Sequence, residues 1–133
     1  MTLPAADFAI VWQGETEITL PASHGVLHFE RVIGQGLSLA RLQQCVVTIR
    51  SRHGSERIQL DAARPHQSLR NMLQNQGVPP WQRELLPLLF CGDELVLVPG
   101  VATVAGYIAQ ADEEGVLVSL KNWSKMPFST RLS

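Results

Sequence analysis

The feature that most constrains this chain is its punctuation: short apolar runs, each closed by turn residues. Runs of that length suit strands and leave little room for helices of ordinary length. Phe8–Trp12 lies between Pro4 and Gly14 and predicts an edge strand. Glu15–Leu20 and Val26–Val32 alternate polar and apolar residues around Pro21-Ala22-Ser23-His24-Gly25, the pattern of a hairpin with a five-residue loop. Cys45–Arg52 is β-branched and apolar until it emerges as Arg-Ser-Arg, and it gives the clearest strand. After His53-Gly54-Ser55, Glu56–Leu60 continues as strand. Leu88–Phe90 and Leu95–Val98 flank Cys91-Gly92-Asp93-Glu94 as a second hairpin. Val101–Gln110 is an ambiguous apolar strand, Asp112–Gly115 an acidic turn, Val116–Leu120 a last strand, and the polar tail from Lys121 is expected to be loose.

One stretch carries a helical period. Ser68 is placed to cap it, Leu69, Met72 and Leu73 fall at i, i+3 and i+4, and Gly77 provides the stop. Arg70, Asn71 and Gln74 lie off that stripe and face outward. Pro79-Pro80 opens a single turn over Trp81–Leu86, stopped by Pro87. Gly34-Gln35-Gly36 reads as a flexible spot, followed by a loop or short turn through Leu37, Leu39 and Leu42. With 133 residues, no repeat and no linker, the chain predicts one domain over 1–133. Its class is α+β: strand-rich, with one or two short helices.

Composition closes off several alternatives. At 45% hydrophobic and 17% charged residues, the chain can build a core, which excludes disorder as the main state. No apolar run approaches the roughly 18–20 residues of a membrane span. The first basic residue is Arg31, so no positively charged leader precedes an apolar segment. Cys45 and Cys91 are too few for a disulfide framework, and a reduced, cytoplasmic chain is the simpler expectation.

No catalytic constellation stands out. His24, His28, His53 and His66 lack metal-ligand spacing, and no nucleophile elbow, P-loop or dinucleotide fingerprint is present. Asp93-Glu94 reads as a solvated turn and Cys91 as a reduced structural thiol. Neither a catalytic nor a metal-binding residue is expected. Charge is more informative. The net charge is −1, yet six arginines (Arg50, Arg52, Arg57, Arg64, Arg70 and Arg83) fall in one middle stretch that also holds His53 and His66. Arginine offers a planar fork suited to phosphate. The plainer reading is a set of solvated or ion-paired surface arginines, for instance Arg57 with Glu56 or Asp61. The six are not regularly interleaved with aromatics, Trp81 alone falling among them, so the pattern suggests backbone contact with a folded RNA rather than base stacking. Trp81, on a stiff segment, is expected to anchor the core.

The string Gln76–Gly100 is distinctive: it contains Pro79-Pro80-Trp81-Gln82-Arg83, Leu86-Pro87-Leu88-Leu89, Gly92-Asp93-Glu94-Leu95-Val96 and Pro99-Gly100. It resembles the C-terminal domain of bacterial tRNA(Ile)-lysidine synthetases. Upstream, Arg50, Arg52, Gly54 and Arg57, then Leu69, Arg70 and Leu73, fit the same pattern, and the resemblance is best over 46–100. Ser55, Asn71 and Val101-Ala102-Thr103 depart from it.

The resemblance implies a layered α+β domain with a β-sandwich. It also implies a parent enzyme that uses ATP and Mg to join lysine to the wobble cytidine of an isoleucine tRNA with a CAU anticodon. The ATP-binding Ser-Gly-Gly-x-Asp-Ser loop is absent from this sequence, so no cofactor is expected in this chain itself. The expected role is a tRNA-holding accessory domain, chiefly for the acceptor stem, working beside the N-terminal catalytic domain, with no DNA or membrane partner. Arg50, Arg52, Arg57, Arg64 and Arg70 are expected to contact phosphates, and the turn Pro79, Pro80, Trp81 and Arg83 to position them. Two rivals follow from the residues: a docking module with minor RNA contact, and a small hydrolase using Asp93, Glu94 or Cys91. The hydrolase requires a pocket that gathers those side chains around a histidine, and none is expected.

Overall fold

The computed structural model describes residues 8–20, 25–79, 83 and 86–121. Eleven strands and two short α-helices follow one another in it. They are β1 (Ala9–Val11), β2 (Glu17–Leu20), β3 (Gly25–Ile33), β4 (Leu37–Ser38), α1 (Leu39–Leu42), β5 (Val47–Arg50), β6 (Arg57–Ile58), β7 (Gln67–Ser68), α2 (Leu69–Asn75), β8 (Leu88–Cys91), β9 (Glu94–Val98), β10 (Ala102–Thr103) and β11 (Glu114–Lys121). Five strands form one sheet in the order β1-β5-β8-β9-β10, four form a second in the order β2-β3-β11-β4, and β6 pairs only with β7. Every pairing is antiparallel.

The two main sheets make a sandwich because alternation sends one residue in two inward. Leu27 and Phe29 of β3 and Val116 of β11 meet Val47 and Ile49 of β5 and Leu89 of β8 in one buried cluster. Ile49 and Leu89 are fully buried, and truncating either to alanine should cost about 2–5 kcal/mol. The other face of the five-stranded sheet carries a second cluster. There Leu88, Leu95 and Val98 pack against Ile58 of β6 and Leu69, Met72 and Leu73 of α2. The molecule therefore has three layers: four-stranded sheet, five-stranded sheet, and an outer layer of α2 with β6–β7.

A bulge reverses the phase with which β9 feeds the two clusters. The register of β8 against β9 shifts between Leu89 and Phe90, so that Leu89 faces Leu97 and Phe90 faces Leu95. Val96 is the extra residue. Val96 and Leu97 enter the sandwich, while Leu95 and Val98 enter the outer cluster.

The predicted hairpins form, β2 with β3 and β8 with β9, and Phe8–Trp12 supplies the edge strand β1. The expected helix is α2, with the Ser68 hydroxyl accepting from the Asn71 amide at 3.2 Å and Gly77 following at φ +75°. Other expectations are corrected. Glu56–Leu60 does not extend the β5 hairpin: β6 is two residues long and pairs with β7. Val101–Gln110 is broken into β10 and a 3-10 turn at Ala105–Tyr107. The segment Leu37–Leu42 holds β4 and α1, the latter capped by buried Ser38. Pro80, Trp81, the 21–24 loop, the leader 1–7 and the tail after Lys121 lie outside the described residues.

Gly34-Gln35-Gly36 is not a flexible spot but a close backbone crossing. The Gly34 amide donates to the Glu113 carbonyl at 2.8 Å, and the Gly36 carbonyl accepts from the Ala109 amide at 2.9 Å. A Cβ on Gly36 would overlap the Val116 carbonyl, and one on Gly115 would overlap the Gln35 carbonyl. Only glycine lets these two chains approach so closely.

The two cysteines are also corrected. Cys45 and Cys91, expected as free thiols, are joined in a disulfide with Cα atoms 5.7 Å apart. The cause is register: Val47 faces Cys91 across β5 and β8, and the Gly92 amide reaches back to the Val46 carbonyl at 2.9 Å. Among the described residues no helix is long and apolar enough to cross a membrane.

Candidate nucleic-acid interface

The side of the five-stranded sheet that faces away from the sandwich gathers most of the middle arginines. Alternation along β5 turns Thr48 and Arg50 to this side while Val47 and Ile49 point into the sandwich core. The register places Phe90 of β8 directly opposite Thr48. The Arg50 guanidinium then lies over the Phe90 ring, 4.2 Å from its centroid. Its Nε donates to the Thr48 hydroxyl at 3.0 Å and one Nη2 hydrogen to the Gly92 carbonyl at 3.0 Å. The plane of this cation is thus fixed before any ligand arrives.

Beyond Arg50 the chain enters the outer layer. Ser51 is buried and exchanges two hydrogen bonds with the backbone of Phe8. Arg57 on β6 donates to the His66 carbonyl at 3.1 Å. Gln59 donates to the Arg64 carbonyl at 2.7 Å, closing the loop between β6 and β7. Arg64 pairs with Asp61 at 3.3 Å, with the arginine side chain 60% exposed. Such a surface pair contributes little stability. Arg70 stands on the exposed side of α2, and among the described residues it has no partner.

Arg52 and Arg83 are turned to a different use. Arg52 Nη1 donates to the Arg83 carbonyl at 3.3 Å, and Arg83 Nε donates to the Val78 carbonyl at 2.6 Å. The Arg83 amide also meets the Pro79 carbonyl at 2.9 Å. Together they tie Arg52, Val78, Pro79 and Arg83 to one another between α2 and β8, meeting backbone carbonyls with side-chain donors. Arg52 Nε is buried without an acceptor among the described residues. Of the expected phosphate contacts, then, Arg57 lines a groove, Arg50 bonds the Gly92 carbonyl in the turn beside that groove, Arg64 and Arg70 belong to the outer layer, and Arg52 is engaged with the backbone. Of the expected positioning turn, Pro79 and Arg83 are tied together as described.

The groove holds about 530 Å³ and is open to solvent. Arg57, Gln59 and His66 form one wall; Asp93 and Glu94, from the turn between β8 and β9, form the other. Cys91 also lines it. A histidine and the candidate hydrolytic side chains thus share a groove, contrary to expectation. They do not compose an active site. Cys91 is locked in its disulfide, and Glu94 accepts from the Tyr107 hydroxyl at 3.0 Å. Among the described residues no hydrogen bond joins His66 to Asp93, and no group of three or more metal-ligating side chains forms.

Two polar clusters were invisible in the sequence. Arg41 of α1 lies over the Tyr107 ring at 4.8 Å. Burial and the Glu94 carboxylate raise the Tyr107 pKa, so the phenol stays protonated and donates. At the start of the same helix, the Ser38 hydroxyl accepts from the Arg41 amide at 3.3 Å and donates to Glu113 at 2.5 Å. That bond, with the Gln110 amide, holds the Glu113 carboxyl below its ordinary value.

Comparison with known proteins decides the family. The family described as the TilS substrate C-terminal domain matches residues 47–121, more than half of the chain. The chain belongs to this family. It is similar to the tRNA(Ile)-lysidine synthase of Nitrosomonas europaea, with 42% identity covering 89% of this chain and 26% of that protein. It is also similar to the enzyme of the same name from Coxiella burnetii, with 31% identity over 80% of this chain and 23% of that protein. The chain thus spans about a quarter of the length of these relatives. A crystal structure of a TilS C-terminal domain has the same fold: TM-score 0.68 at 14% identity, covering 90% of this chain and 99% of that one. The family match begins at Val47, so it takes in β5 to β11 and the arginine-bearing layer. The strands β1 to β4, which complete both sheets, precede it.

Proposed function

We propose that this chain is the tRNA-binding accessory domain of a tRNA(Ile)-lysidine synthase. The observation that carries the reading is its membership in the C-terminal domain family of these enzymes. The arrangement of the arginines supports it. Arg50 is held flat on the sheet and still has three N–H groups to spare, Arg57 edges the groove, and Arg64 and Arg70 project from the same layer. Guanidinium groups presented on one side of a rigid sheet suit the phosphates of a folded RNA, with the acceptor stem of an isoleucine tRNA with a CAU anticodon as the target.

The chemistry of the parent enzyme, ATP-dependent joining of lysine to the wobble cytidine, belongs to its catalytic domain. This chain contributes grip and register: it holds the tRNA while the anticodon reaches the catalytic centre. It works in the cytoplasm and needs no cofactor of its own.

The test is a titration of the protein with the isoleucine tRNA carrying a CAU anticodon, and with methionine tRNA, at two salt concentrations. Each phosphate contact should add roughly −0.7 to −0.9 to the log–log salt slope. Salt-sensitive binding that prefers the isoleucine tRNA supports a discriminating grip, and salt-sensitive binding without preference a generic one. Absence of binding at low salt overturns the reading in favour of docking within the enzyme.

A further inference from the structure

We propose that Arg50 and Phe90 form a stacking seat for one unpaired base of the bound RNA, with the Arg57 groove beside it taking that nucleotide's phosphate. The inference rests on the RNA-binding reading and adds a subsite to it. Its basis is the geometry of a single cation. Arg50 is bonded edgewise at two points, Thr48 and the Gly92 carbonyl, and backed by the Phe90 ring at 4.2 Å. One face of the guanidinium is therefore covered and the other is left for a ligand. A planar cation already stacked on an aromatic ring accepts a nucleobase on its free face, and RNA-binding proteins use guanidinium planes in this way.

The surroundings match a base better than a duplex backbone. Val11 faces Thr48 from β1, and Val46 precedes Thr48 by two residues, so both share this side of the sheet. They are 45% and 61% exposed, two of the five large apolar side chains that the described residues leave open. A phosphate backbone has no use for exposed valines, whereas a base edge buries against them. Next to Val46, on the β8 side, the Gly92 carbonyl that holds Arg50 sits between Cys91 and Asp93, which line the groove. In the groove Arg57 attracts an anion while Asp93 and Glu94 on the facing wall oppose one, so a phosphate there sits at the Arg57 edge. One base on the seat and one phosphate in the groove describe a single splayed nucleotide, as at a single-stranded end or bulge.

The test compares a stem-loop RNA with a blunt end to the same stem carrying a short single-stranded overhang with 2-aminopurine. The expected result is roughly five- to twenty-fold tighter binding of the overhang RNA, with quenched 2-aminopurine fluorescence. Arg50→Lys, which keeps the charge but not the plane, should remove most of that ratio. Thr48→Val, which releases Nε without disturbing the core, should reduce it. Arg31→Gln on the four-stranded sheet should leave the ratio unchanged, and thermal unfolding checks that each variant is folded. Equal binding of both RNAs with unquenched fluorescence overturns the seat while leaving the phosphate grip intact. Failure of both RNAs to bind at low salt overturns the RNA-binding reading and the seat with it.

Discussion

The β3–β11 ladder runs for eight residue pairs, while β6 and β7 share only two. The two regions are held by different means. The long ladder satisfies its own backbone and needs only apolar side chains and three glycines at its closed end. The outer layer has one two-residue strand pairing, and side chains meet several of its carbonyls: Arg57 on His66, Gln59 on Arg64, Arg52 on Arg83, Arg83 on Val78. Stability resides mainly in the sandwich and cationic chemistry in the outer layer. Arg57 both bonds the His66 carbonyl and lines the groove.

The largest expected effect would break the sandwich. The Cys45–Cys91 bond closes a loop of 46 residues, and its loss should cost about 4 kcal/mol on the chain-entropy account. Thermal melts with and without reductant, and of Cys45→Ser with Cys91→Ser, measure it; an unchanged melting temperature would show that the bond does not hold the sheet. Gly115→Ala should cost about 2–3 kcal/mol, because the new Cβ meets backbone that cannot move aside. Gly54→Ala, in open space, should cost only about 1 kcal/mol from its positive φ.

Arg70→Glu sharpens the contrast from the other side. It should lower tRNA affinity about ten-fold and flatten the salt slope by roughly one contact, while the melting temperature barely moves. Arg31→Glu on the four-stranded sheet should change affinity much less. Smallest is Glu113→Gln. Its folded pKa lies below the ordinary 4.5, so the carboxylate stabilises the fold above that value and the contribution disappears as pH falls through the lowered one. Melting curves of Glu113→Gln should accordingly lose pH dependence below about 4.5 and match the parent most closely in acid.

What was legible in the sequence was local. Alternation gave the first hairpin, two apolar runs around a Gly-Asp turn gave the second, and the Ser68 cap with the Leu69, Met72 and Leu73 stripe gave α2. The string at 76–100 carried the family and, through it, the sandwich. What escaped depends on register between distant residues. Phe90 lies 40 positions from Arg50 in sequence, so the linear pattern does not pair them although the sheet does. The disulfide, the pairing of β6 with β7 and the glycine crossing fail for the same reason: each needs to know which strand comes alongside. The bonds from Arg52 and Arg83 to backbone carbonyls were not legible either, because composition cannot reveal an unmet carbonyl.

The bulge at Val96 has a consequence for how this domain can vary. Before it, the odd-numbered Leu95 feeds the outer cluster; after it, the odd-numbered Leu97 feeds the sandwich. Val96 acts as a phase shifter between two hydrophobic compartments. Conservative substitutions along β9 leave the phase intact. Deleting one residue there would restore simple alternation and send half of the strand's side chains to the wrong compartment. This strand can drift in composition but not in length.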